Sequence, residues 1–437
     1  MKYKTTVVMP NLNYNALQSG TQDGTQDDLS MKIKSLIQKD NKISTEKMSM
    51  VLGTSIRTIK RRIKEMQDVC FVGHGFHGHW EITEREDRAR MLCGTDLQEI
   101  TVEQFYYNHM TKQQQAAYHN ILTGVKNLSD EFQIPVLPAE ELANVFFQMR
   151  LDHPEVFWTT GFRYRYYKDS SNLIFVPEYL FDKNKIREHQ KAMTARVEKL
   201  ARPAAKMSEL EKEKYVHDFI CENVRYDKLK KAYSHEIIGP LGQGVGVCEG
   251  IAKTVKVLLD VLGVWNMIAL CGNNPEKGIL YRHTWNIVKV NGTYYHLDAT
   301  FDNSLRKNHE DSEIRYDYFN LDDQQVFRDH EPLIAPAPHC TDHDHFYYKE
   351  KKLSFTKQED VYKRSLQAAK KGKVLIFHWR GGYLTKEVLG DLLELIRKAG
   401  AEKQKAAIVS INWPQAVLRV QYTDAGEQES VTMEEAM

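Results

Sequence analysis

The chain has 437 residues, too long for one ordinary hydrophobic core, and its length alone suggests about three domains. Its 60 Lys and Arg balance 59 Asp and Glu, a net charge of +1, so no whole-chain field draws it to nucleic acid or to a membrane. No apolar run nears the roughly 18 residues of a membrane span, the N-terminus lacks a signal-peptide core, and six cysteines without paired spacing fit free thiols; a cytoplasmic protein without a membrane partner is expected.

Residues 1–28, rich in Asn, Gln, Gly, Thr and Asp, read as a flexible tail. Met31 to Gln38 then predicts a short helix. Ser44 caps a second helix running to Gly53, and Ser55 caps a third, IRTIKRRIKEM. In that third helix Ile56, Ile59, Ile63 and Met66 form the inner stripe, while Arg57, Lys60, Arg61 and Lys64 point elsewhere. Cys70-Phe71-Val72, a turn with Gly73, Gly75 and Gly78, and Trp80 to Thr83 read as a hairpin. Helices and hairpin in this order, over residues 29–90, resemble a winged helix. Between Met31 and Cys70 ten Lys and Arg face four Asp and Glu, a local +6 on a neutral chain. The third helix is then the expected major-groove reader, with Arg57, Lys60, Arg61 and Lys64 as nucleic-acid-binding candidates and duplex DNA as partner through residues 31–82. The same face also suits a protein contact.

The middle of the chain carries the chemistry. Cys248 follows Gly242, Gly244 and Gly246 and opens a segment with Ile251, Val255, Leu258, Leu259 and Leu262 at helical spacing, which Gly263 stops. A cysteine at a helix N-terminus meets unpaired N–H groups and a dipole that favour its thiolate. The glycines leave room for backbone to approach a substrate. Asn291-Gly292 predicts a two-residue hairpin turn, which sets Val290 opposite Thr293, Trp285 opposite Asp298 and His283 opposite Thr300. His283 and Asp298 then share one face as diagonal neighbours, roughly 7–8 Å apart between backbones. A thiol needs a base, and the base needs an orienting acceptor, so Cys248, His283 and Asp298 form a candidate catalytic triad.

From about Tyr347 the chain reads as a small α/β domain: a strand at Val374 to Trp379, an amphipathic helix at Thr385 to Lys398, and strands at Ala406 to Trp413 and Val417 to Thr423. Its acidic end reads as loose.

The motifs Gly246-Val247-Cys248, His283-Thr284-Trp285-Asn286 and Asp298-Ala299-Thr300 resemble the transglutaminase-like cysteine peptidase superfamily, bacterial type. The resemblance covers about Tyr215 to His330, including Asn223 to Asp227, Tyr318-Phe319-Asn320 and Asp329-His330. It implies an α+β fold: a papain-like or transglutaminase-like core (residues 215–330) in a domain at 95–345 with a helical lead-in. A winged helix precedes it, and the α/β domain at 347–437 follows. It further implies attack of Cys248 on a peptide or protein amide, proton transfer by His283, and tautomer control by Asp298. The Cys248 backbone N–H would help hold the oxyanion, with Gln243 as the candidate second donor, though a surface-loop role suits Gln243 as well. Trp285 is a pocket candidate that would shield the pair, and an ordinary core tryptophan would look the same. Hydrolysis, deamidation and cross-linking all stay open. So does the alternative of a DNA-binding regulator whose transglutaminase-like domain only binds a ligand or protein. Oligomeric state is not written in the sequence.

Two histidine groups, His74, His77 and His79 in the expected wing and His339, Cys340, His343 and His345 further on, lack the paired spacing of a structural zinc site. Neither a metal nor any other cofactor is expected.

Overall fold

The computed structural model describes residues 4–9, 27–65, 69–72, 79–82, 104–167, 170–279, 282–306, 313–424 and 433–435. It is a mixed helix-and-sheet protein with two compact units: Asn15–Thr101, and Met1–Tyr14 together with Val102–Met437. Among the described residues no helix is long and apolar enough to cross a membrane.

Strand β1 (Lys4–Met9) belongs to the larger unit, where it pairs antiparallel with residues 162–167. This corrects the reading of residues 1–28 as a flexible tail. The polar composition of the whole segment hides Thr5, Thr6, Val7 and Val8, a β-branched run suited to a pleated strand.

The smaller unit holds helices Asp27–Lys39, Thr45–Leu52 and Ile56–Glu65, then the antiparallel hairpin of β2 (Val69–Val72) and β3 (His79–Ile82). The expected caps are present. Ser44 Oγ accepts from Lys47 N at 3.2 Å, Ser55 Oγ from Thr58 N at 3.2 Å, and Gly53 closes the second helix at φ 60°. Ile33, Ile37, Ile43, Met48, Ile59, Ile63 and Val69 form its core, and Trp80 Nε1 donates to the Ile43 carbonyl at 2.7 Å. Ile56 departs from the expected inner stripe and is 39 % exposed, because core contact on this helix begins one turn later, at Ile59. Met66, Gly73, His74, Gly75, His77 and Gly78 lie outside the described residues.

The larger unit begins with a sheet of order β1-β5-β6-β4, from β4 (Phe132–Pro135), β5 (Thr159–Tyr167) and β6 (Asn172–Tyr179). Lead-in helices brace it. Asp152, at the end of helix Ala139–Asp152, accepts from Tyr106 N, Tyr107 N and Tyr118 OH at 3.0–3.1 Å. A two-residue parallel ladder, β7 (Arg225–Tyr226) on β8 (Val245–Gly246), then delivers the chain to helix Cys248–Val261. That helix packs on a second antiparallel sheet, order β12-β11-β10-β9, made of β9 (Asn266–Cys271), β10 (His283–Val290), β11 (Thr293–Leu297) and β12 (Phe319–Leu321). One apolar core runs from the lead-in helices through this helix and sheet.

The C-terminal segment forms a five-stranded sheet of order β13-β14-β16-β15-β17, from β13 (Ser354–Phe355), β14 (Leu375–Trp379), β15 (Lys405–Asn412), β16 (Val417–Asp424) and β17 (Met433–Glu435). It has its own core but falls within the larger compact unit, so the expected break at residue 347 does not divide two bodies. Buried hydrogen bonds tie it in: Asn412 Nδ2 donates to Asp317 Oδ2 at 3.0 Å and Gln415 Nε2 to the Gln325 carbonyl at 3.1 Å. The acidic end is not wholly loose either, since Met433–Glu435 pairs parallel with β15.

Candidate functional site

Cys248 is the first residue of its helix, half-buried, and a free thiol. Ile251, Val255, Leu258 and Leu259 bury the inner face, and Gly263 at φ 74° ends the helix as its sequence predicts. Charged groups lock the first turn. Lys253 Nζ lies 2.9 Å from both Glu236 oxygens and 2.8 Å from Glu249 Oε1, His235 Nδ1 is 3.1 Å from Glu249, and Arg150 pairs with Glu236. Gly246 and Gly250 serve close packing, whereas Gly242 is exposed with room for a Cβ. A Cβ on Gly250 would sit 2.2 Å from the Ser234 carbonyl oxygen, and one on Gly246 would sit 2.8 Å from the Pro240 ring.

The hairpin carries the other two residues. Asn291 (φ 50°) and Gly292 (φ 86°) make the two-residue turn, and the ladder runs in the expected register from Val290 opposite Thr293 to Asn286 opposite Leu297. Strand pairing stops there, short of the expected Thr300. Asp298 turns to cap helix Ala299–Ser304, its Oδ1 accepting from Thr300 N at 2.8 Å and Phe301 N at 3.0 Å.

The turn brings His283 Nε2 to 2.5 Å from Asp298 Oδ2, leaving Nδ1 as the ring's other nitrogen. Burial alone would raise the Cys248 thiol, but hydrogen bonding and charge from His283, with contacts to Thr284, bring it below the ordinary value. Burial opposes protonation of His283, yet the charge and hydrogen bond of Asp298 and the thiol itself hold it well above the usual imidazole value. Burial likewise works against ionised Asp298, and the two facing imidazoles outweigh it. The three groups favour a thiolate–imidazolium–carboxylate series. Asp298 is buried, while the His283 side chain is 16 % exposed.

Trp285 is fully buried, stacks on His283 (centroids 5.6 Å apart) and meets His330 edge-on at 4.8 Å. Its Nε1 donates to His296 Nδ1 at 2.9 Å. Gln243 is exposed at the end of the π-helical turn Gly239–Gln243, and the geometry draws it into no contact with the triad among the described residues. In the other unit, Arg57, Lys60 and Arg61 are exposed on helix Ile56–Glu65, and Lys64 falls in its last turn.

Two residues from the segments that flank the motifs, Asn223 to Asp227 and Asp329-His330, also lie beside these groups. His330 places Nε2 3.0 Å from Asp298 Oδ2, so one carboxylate oxygen serves two imidazoles. Tyr226, 42 % exposed, lies near enough to Cys248 to sense its charge; burial first, then the thiolate, pushes its phenol up to about 12. The pairing of β7 with β8 could have placed Tyr226, but no local pattern places His330.

Among the described residues, two groups bring metal-ligand donor atoms within 4.8 Å of one another: His283, Asp298 and His330, and His296, Asp323 and Cys340. Hydrogen bonds already occupy those atoms in the first group. In the second, indole N–H only donates, so His296 Nδ1 accepts and its Nε2 carries the proton, 2.8 Å from Asp323 Oδ1. Metal ligation there would demand an imidazolate. Of the histidine cluster, His339 lies 3.2 Å and His343 3.5 Å from Asp323 and Asp322 respectively, as ion-pair geometry.

No family model matches the chain, and no curated protein sequence matches it. Among solved structures, one described as "Crystal structure of a TGase" aligns with a TM-score of 0.22 and 13 % identity, over 36 % of this chain and 48 % of that one. A match at that level fixes neither family nor activity.

Proposed function

We propose that the chain is a transglutaminase-like cysteine enzyme that transfers the acyl group of a peptide or protein amide. The observation that carries this reading is the close pairing of His283 with buried Asp298 on a hairpin of fixed register, supported by Cys248 at a helix start with its thiol drawn below the ordinary value by His283. Cys248 Sγ, having passed its proton to His283 Nδ1, attacks the carbonyl carbon and forms the C–S bond. The backbone N–H of Cys248 faces the developing oxyanion, with Gln243 as the proposed second donor. As the C–N bond breaks, His283 returns the proton to the departing amine. Water or a second amine then resolves the thioester, His283 again moving the proton. Asp298 stays ionised throughout and fixes the ring.

The exposed Arg57, Lys60 and Arg61, with Lys64, on a three-helix unit with a hairpin, support a winged helix that holds duplex DNA by its phosphates. The test of the catalytic reading is mass spectrometry on a peptide mixture, where cleavage, Gln-to-Glu change and amine incorporation leave distinct mass differences. Products that vanish in Cys248→Ala are expected. Identical products from that variant would leave a non-catalytic binding domain beside a DNA-binding module.

A further inference from the structure

His330 is fully buried, and both ring nitrogens meet carboxylates: Nδ1 lies 2.8 Å from Asp329 Oδ1 and Nε2 3.0 Å from Asp298 Oδ2. An ionised carboxylate only accepts, so both nitrogens must carry protons and the ring is an imidazolium. Its clamp is itself held. Asp329 Oδ2 accepts from Tyr318 OH at 2.5 Å, and Asp329 Oδ1 accepts from Gln415 Nε2 at 3.3 Å. Phe301 (4.6 Å between centroids) and Trp285 (4.8 Å) wall the ring in.

Asp298 thereby has four donors: His283, His330 and the amides of Thr300 and Phe301. It cannot rotate without breaking several of them. The titratable groups facing His330 are Asp329 on its own segment, Asp298 from the helix start, His283 from β10 at 5.4 Å between centroids, and Tyr318 beside β12. His296 lies beyond Trp285 and also senses its charge.

We propose that His330 is a positioning residue: a buried imidazolium that holds Asp298 in line with His283 and offsets part of the carboxylate's charge. This rests on the acyl-transfer reading for its purpose but not for its test. A general base must release the proton it takes. With the whole charge of Asp298 acting on it, His283 would stay an imidazolium over the working range. A second cation on the same oxygen makes His283 easier to deprotonate.

The experiment is a pH titration of the imidazole 15N shifts in the full chain, for the wild type, His330→Gln and Asp329→Asn. Gln keeps an N–H donor without the charge, and Asn loosens the clamp while leaving the ring. In the wild type both His330 nitrogens should be protonated at pH 7. The His283 midpoint should rise by about 1 pH unit in His330→Gln, as removal of a like charge requires, and by less in Asp329→Asn. A residue that merely fills space would move neither. A neutral His330 at pH 7, or an unmoved His283 midpoint in a folded variant, overturns the proposal. If neither variant folds, the protonation state of the wild-type ring decides. Because the readout needs neither substrate nor a reactive thiol, it stands apart from failure of the peptide assay.

Discussion

Glu213 is completely buried in helix Glu209–Asn223, and its Oε2 accepts from Asn320 Nδ2 at 3.0 Å. Among the described residues, neither Glu213 Oε1 nor Asn320 Oδ1 has a hydrogen-bond partner. A proton on Oε1 would satisfy both if the two acceptors face each other. Burial, only partly offset by Asn320 and His217, pushes this carboxyl up to about 8. Because the folded-state value lies above the unfolded one of about 4.3, the group favours folding most below pH 4.3. That contribution erodes as pH rises to about 8 and is constant beyond. At about 1.4 kcal/mol per unit, the ceiling on the loss is on the order of 4 kcal/mol at pH 7 and 5 kcal/mol above pH 8. Glu213→Gln cannot ionise and offers both an acceptor and a donor to Asn320. Thermal or urea unfolding of the two proteins from pH 4 to 9 should give near-equal stability at pH 4, and an advantage to the variant that grows to a few kcal/mol at pH 9. A variant equal to or weaker than the wild type at pH 9 would show that Glu213 is ionised in the fold, and the reasoning would fail.

Replacing Arg57, Lys60, Arg61 and Lys64 with Ala should weaken duplex binding and flatten its salt dependence, by up to about 0.9 in slope for each phosphate no longer neutralised. Ile59 and Ile63 keep that helix folded, so unchanged affinity and slope would leave the face to a protein partner. Trp285→Phe removes the donor to buried His296 Nδ1, and chemical unfolding at pH 7 should register a loss of about 1–3 kcal/mol. No loss would mean that His296 had exchanged its tautomer and found another partner.

Where the sequence was legible, a local rule decided the structure. Asn291-Gly292 adopts the two positive φ angles that close a short hairpin, so the register from Val290 to Asn286 follows by counting. Ser44, Ser55, Gly53 and Gly263 mark helix ends through hydrogen bonds or backbone freedom acting within a few residues. His330 is a different case. It meets Asp298 only because β12 and the following turn fold back over the hairpin, and no spacing expresses that. Composition misled at Lys4–Met9, where a polar average concealed a β-branched core. It also misled at residue 347, where a change of pattern marks a new sheet but buried amides stitch that sheet to the preceding one. Periodicity placed Ile56 on the inner stripe, but periodicity does not say where along a helix its neighbour begins.

The turn between β15 and β16 sets an order of events in synthesis. Gln415, which steadies Asp329, and Asn412, which binds Asp317, leave the ribosome long after Cys248, His283, Asp298 and His330. At roughly 5–20 residues per second, the interval between His330 and Gln415 is on the order of ten seconds. During that time the nascent chain carries its thiol and its base without the last braces of their support. A chain that stops before this turn keeps all three candidate catalytic residues yet lacks the polar contacts that finish the arrangement.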